Sequence, residues 1–135
     1  MEIQIMLNKI YEIASDVIGM QHEYGSDADC NIIALKVLDH IAGTDWVSKA
    51  QYTSLKSGIS NLKKVGYASV QEIIIQYCDE VQREHTIDGD LLFFDDPMNI
   101  GLVVSGRLLT ATNEHTTFRL INKPKGKYYR VRSDT

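Results

Sequence analysis

Cysteine is nearly absent from this chain: there are two in 135 residues, Cys30 and Cys78. Two thiols cannot build a disulfide framework. Neither has a His or Cys neighbour at metal-ligand spacing, so a structural zinc site has no basis. They are expected as free thiols of a reducing cytoplasm, and no cofactor is implied. Long apolar runs are missing too, and no stretch would cross a bilayer. The opening MEIQIMLNKIYEIASDVIG is apolar only at helical spacing. Glu2, Lys9, Glu12 and Asp16 interrupt it, so it does not read as a signal peptide. Internal repeats and low-complexity linkers are absent. What remains, with 44% hydrophobic and 24% charged residues, is a single globular domain over 1–135, long enough to bury a core without staples.

The formal net charge of −4 hides an asymmetry. Acidic residues dominate up to Gly106. From Arg107 to Arg132 the balance reverses, with Arg107, Arg119, Lys123, Lys125, Lys127, Arg130 and Arg132 set against Glu114 alone. One reading is a sheet edge guarded by charge. The sharper one is a basic face, Lys123, Lys125, Lys127, Arg130 and Arg132, that docks on an acidic protein surface. Nucleic acid has no recognition motif in its favour.

Periodicity divides the chain. Ile3, Met6, Ile10, Ile13, Ala14, Val17 and Ile18 share one helical face. The loop HEYGSDAD follows. Asp27 or Asp29 then caps a second helix that Gly43 ends, and its apolar residues cover so much of its surface that it reads as central. A third helix is expected over 50–65, with Tyr52, Leu55, Ile59 and Leu62 inward. A fourth opens at the capping box Ser69–Glu72 and runs to His85, with Cys78 packed in it. After TIDGD the period changes, and LLFF, NIGLVV, RLLTAT, TTFRLI and KYYRVR read as strands. Ser105-Gly106 suggests a tight hairpin and NKPKG a looser one. The expected fold is α+β: four helices over residues 1–86, then an antiparallel sheet of about five strands over 87–135.

Cys30 stands at the N-terminus of the second helix, where free N–H groups and the helix dipole favour a thiolate. A cysteine there, followed by an antiparallel sheet, is the skeleton of papain-like cysteine hydrolases. The bland alternative is a thiol packed as a small hydrophobe. Asp29 is a cap before it is anything else, and Gly89-Asp90 is a turn feeding a strand. Gly101 marks a bulge or the close approach of a helix. Trp46 and Tyr52 are core or part of a partner-binding surface.

DADC opening a helix, GDLLFF at 89–94 and NIGLVVSGRLLTAT at 99–112 together resemble the NlpC-type peptidoglycan peptidases. A closer resemblance is to a phage-encoded branch of that fold, found among tail genes. It rests on DC, AGTD at 42–45, Tyr52, Gly66, the GD strand and YYRVR, and covers Tyr24 to Arg132. The resemblance implies a papain-like NlpC-type fold and a triad at Cys30, Asn99 and Thr110. Asn99 replaces the histidine base, and neutral asparagine takes no proton near pH 7. The implied function is therefore a non-catalytic phage tail component or tail-assembly protein. Its partners would be other tail proteins, and its place the host cytoplasm during assembly or the virion tail. The alternative is a cysteine peptidase or amidase acting on cell-wall peptides, with Cys30 as nucleophile. Its base would be His115, or His22 approaching from the loop. His40 lies too far along the second helix, and His85 is expected in solvent.

Overall fold

The computed structural model of the chain describes residues 2–111 and 116–133. Helix α1, Ile3–Ser15, buries Ile10, Ile13 and Ala14, with Val17 just beyond it. Ile3 and Ile18 of the expected face stay exposed. Helix α2, Cys30–Ala42, buries residues around most of its circumference, as its pattern requires of a central helix. Asp29 caps it by accepting from the Asn31 N–H at 2.9 Å. Gly43, at φ 74°, stops it in the left-handed region that glycine enters without strain.

The third helix is shorter than periodicity suggested. Ser54 and Ser57 form a reciprocal capping box that starts α3 at Leu55–Lys64, leaving Val47–Lys49 as a separate 3-10 turn. Helix α4, Val70–Ile75, opens where expected. Ser69 Oγ accepts from the Glu72 N–H, while the Glu72 carboxylate reaches back to the Ala68 N–H.

The fourth helix does not continue to His85. Cys78–Val81 is strand β1. It pairs antiparallel with the last strand, and Arg132 fixes it there by donating to the carbonyls of Gln76 and Cys78. The sheet therefore starts inside the stretch read as helical. Among the described residues it has six strands where about five were expected: β1, β2 (Leu91–Phe93), β3 (Ile100–Val104), β4 (Arg107–Thr110), β5 (Arg119–Ile121) and β6 (Lys127–Val131). Their order is β1-β6-β2-β3-β4-β5, and every pairing is antiparallel.

Side chains alternate cleanly across this sheet. Leu91, Phe93, Ile100, Leu102, Val104 and Leu109 join α1, α2 and α4 in the main core. Leu92, Val103, Leu108 and Tyr128 form a second cluster on the opposite face. Gly101 belongs to that second face. It admits no helix: a Cβ there would sit 2.8 Å from Leu108 Cδ1, so the glycine makes room for a neighbouring strand's leucine. The segment after β5 folds over the same face. Lys123 donates to Thr86 Oγ1 and the Arg83 carbonyl, and a Cβ on Gly126 would touch Leu92 at 2.7 Å.

Most of the C-terminal basic residues are paired within the domain, some on its surface. Arg130 grips the buried Asp90 carboxylate with two bonds, Nε to Oδ1 at 3.0 Å and a terminal nitrogen to Oδ2 at 2.9 Å. Arg132 pairs with Asp79 and Lys127 with Glu80. Asp90 also accepts from the Ile87 N–H, which fixes the turn ahead of β2.

Arg130→Ala strands a buried carboxylate with one remaining donor. It is expected to lower unfolding free energy by about 2–3 kcal/mol in urea titrations near neutral pH. Arg130→Lys, unable to fork, should recover less than half of that.

Candidate functional site

The site is the N-terminus of α2, and a single carboxylate organises it. Asp29 is completely buried. Its Oδ1 accepts from the Asn31 N–H, and its Oδ2 from the Gly25 N–H at 2.9 Å and the Tyr52 hydroxyl at 2.6 Å. Gly25 takes φ 78°, and a Cβ on it would fall 1.7 Å from the Tyr52 carbonyl oxygen. Only glycine lets this loop lie against residue 52.

Cys30 follows, with its side chain turned into the core against Ile33, Ala34, Leu91, Ile100, Leu102, Leu109 and Phe118. It is 4% exposed. The thiol faces the Met98 carbonyl at 3.5 Å, which also accepts from Asn31 Nδ2 at 3.1 Å. Burial pushes the Cys30 pKa up to about 12. The Asp29 carboxylate adds to the rise, and backbone N–H groups of Ile100, Asn31 and Cys30 offset only part of it. The helix N-terminus does not activate this thiol, because the desolvation and the adjacent negative charge outweigh it.

Asn99 is flanked by Met98 and Ile100, whose backbone groups face the Cys30 sulfur, but the side chains of the inferred triad are engaged elsewhere. Asn99 turns its amide to Asp96 Oδ2 at 3.3 Å, within its own turn, while its carbonyl accepts from Gln71. Thr110 is buried at the end of β4, between Leu109 and Ala111 of the main core, so strand alternation turns it to the other face from Cys30. Among the described residues its hydroxyl reaches only the Ala111 carbonyl, at 3.5 Å. His115 lies outside the described residues. His85 is exposed in a 3-10 turn, and His40 sits far along α2.

Among the described residues, the histidine that arrives is His22. Its backbone N–H donates to the Thr116 carbonyl, which pins the loop beside β5. Its ring packs edge-on against Tyr24 at 4.7 Å. Its Nε2 is 4.0 Å from Asp29 Oδ1. One donor atom each from His22, Asp29 and Cys30 fall within 4.8 Å of one another. No hydrogen bond joins the imidazole to the sulfur among the described residues. The three atoms are a ligand set in type, but Asp29 already serves three donors and Cys30 holds its proton, so a metal would have to dismantle the cap.

Two members of the site carried no sequence signal. Met98 contributes through its carbonyl, which any residue could supply. Asn31 is nine-tenths buried, and its Oδ1 has no partner among the described residues.

A thiol whose pKa rises on folding supports stability below the unfolded value of 9.0, and that support is lost as pH climbs toward about 12. Urea stability should therefore fall above pH ~9. Cys30→Ala should make that fall shallower by about 1.4 kcal/mol per pH unit. In the native chain, iodoacetamide at pH ~8 should leave Cys30 unmodified until urea unfolds it, as read by intact mass in a Cys78→Ser background.

The model of a domain of unknown function, DUF6950, matches residues 5–128. No curated protein and no solved structure matches the chain. The match begins within α1 and ends two residues into β6, taking in the helices and strands between, so the chain belongs to the DUF6950 family.

Proposed function

We propose that this chain is a non-catalytic relative of the NlpC-type papain-like domains, acting through protein–protein contacts as a bacteriophage tail component or tail-assembly protein. The observation that carries the non-catalytic part is the state of Cys30: enclosed by apolar side chains, hydrogen-bonded to Met98, and held protonated. A nucleophile needs the thiolate and an approach path, and this sulfur has neither at neutral pH. The tail assignment rests on the sequence resemblance, with the host cytoplasm and the virion tail as its places of action. Since Arg130, Arg132, Lys127 and Lys123 are engaged within the fold, the basic stretch offers an acidic partner less than its count suggests.

A second reading is favoured by one observation, the His22–Asp29–Cys30 cluster. If the Met98 turn withdrew, the imidazole could take the Cys30 proton and the sulfur could attack a peptide carbonyl. The Cys30 N–H would then face the oxyanion, the Asn31 N–H being held by Asp29.

The two readings separate on one pair of variants. Under the non-catalytic reading, phage carrying Cys30→Ala or His22→Ala assemble infectious tails at wild-type yield, while deletion of the gene abolishes tails. Purified protein also releases no more peptide from cell-wall sacculi than its Cys30→Ala form. Release that depends on both Cys30 and His22 would establish the hydrolase instead. Intact tails from the deletion, with none of the protein in purified virions, would end the tail assignment.

A further inference from the structure

Helix α3 is amphipathic, yet none of its residues is buried. Its apolar side closes onto the main core through Leu62 and leaves a gap beside it. Leu55, Ile59 and Leu62, with Val65 beyond them, face Leu35, Val70 and Ile73 across a cavity of about 80 Å³. Leu55 is 41% exposed and Val65 52%. One wall is tied shut, because Asn61 donates to the Gln51 carbonyl and Gly58 lets the Tyr52 ring lie against α3. The opening is structural, therefore, and not a helix that has drifted away.

Asn31 lies in the lining of this cavity. Its Nδ2 is committed to Met98, and its Oδ1 is a buried acceptor with no donor among the described residues. An amide oxygen taken from water without a partner costs about 1–3 kcal/mol, so such groups are rarely left alone. Charge adds a third constraint. Lys49, its Nζ 4.8 Å from the Trp46 ring centroid, is the cation of the lining, and no acidic residue accompanies it there among the described residues.

The geometry points to a peptide-binding site between α2 and α3. It would take one aliphatic or aromatic anchor side chain in the cavity, that residue's backbone N–H on Asn31 Oδ1, and a carboxylate close by on Lys49. The apolar walls favour the side chain by removing it from water. Asn31 selects for an N–H, because an ester or N-methyl isostere leaves its oxygen unpaired. Lys49 selects against a cationic neighbour. The inference stands on this cavity alone and holds whether or not the domain works in a phage tail.

N-acetyl-L-leucine carries all three features and serves as the probe. Titrated into the full chain and followed by amide NMR, it should shift the Asn31 side-chain NH₂ and the backbone signals of Leu35, Ile59 and Leu62, saturating in the millimolar range. N-acetyl-N-methyl-leucine should bind about tenfold more weakly, the loss of about one hydrogen bond. N-acetyl-leucinamide should lose several-fold, and Lys49→Glu should erase the difference between the acid and the amide. Ile59→Trp, at a half-exposed position, fills the cavity while leaving the fold intact by its spectrum, and should abolish the shifts. Absence of saturable shifts at these residues would overturn the inference. So would shifts that survive Ile59→Trp, or binding indifferent to the N-methyl group.

Discussion

A carboxylate in an apolar interior is stable only when its hydrogen bonds are met, and Asp29 has three donors that come from separate parts of the chain. The Asn31 N–H fixes the first turn of α2, the Gly25 N–H fixes the loop before it, and the Tyr52 hydroxyl fixes the segment that leads into α3. None of these pieces is positioned by apolar packing alone, which tolerates slippage in a way that a buried charge does not. Once Asp29 is set, Cys30 must follow it into the helix with its sulfur toward β3. The same carboxylate then works against ionisation of that sulfur. Organisation and suppression of the site come from one interaction.

Asp90 plays the corresponding part in the sheet. It is buried beside the turn ahead of β2 and reaches across to Arg130 on β6. The two aspartates hold the two halves of the site in place: one the helix end that carries Cys30, the other the strands that face it. The basic residues that make the C-terminal sequence look like a docking surface are largely the counter-charges of the acidic stretch before it. Their pairing leaves the molecule with less surface asymmetry than its sequence has.

What could be read from sequence was what local chemistry decides. Helix α2, with an aspartate cap and a left-handed glycine stop, was legible because both signals act within a few residues. Strand β1 was not. YCDEV continues an apolar helix pattern as well as it starts a strand, and the choice was made by β6, some fifty positions away. Gly101 was legible as a close approach but not as an approach to Leu108, since register between strands is invisible before pairing. The position of His22 depended on a loop pinned to residues near Thr116, so periodicity could not rank it above the other histidines. Asn99 and Thr110 entered through resemblance, which carries positions across but not the turn that draws an amide to Asp96 or the pleat that turns a threonine away. The unpartnered oxygen of Asn31 could not be seen at all, because an absence of donors is a property of the fold.

The placement of β6 between β1 and β2 bears on how the chain reaches this state. The strands from β2 to β5 can zip together as sequential neighbours, but β1 has no partner until residues 127–131 are in place. On a ribosome, the helices and most of the sheet would emerge while one flank of β2 still lacks its neighbour and Asp90 its counter-charge. Such a chain holds an open hydrogen-bonding edge until residues 127–131 have emerged, which is the circumstance in which strands pair with the wrong molecule. The final strand is thus the clasp of the domain, and the time before it fastens is when this protein is most exposed to misassembly.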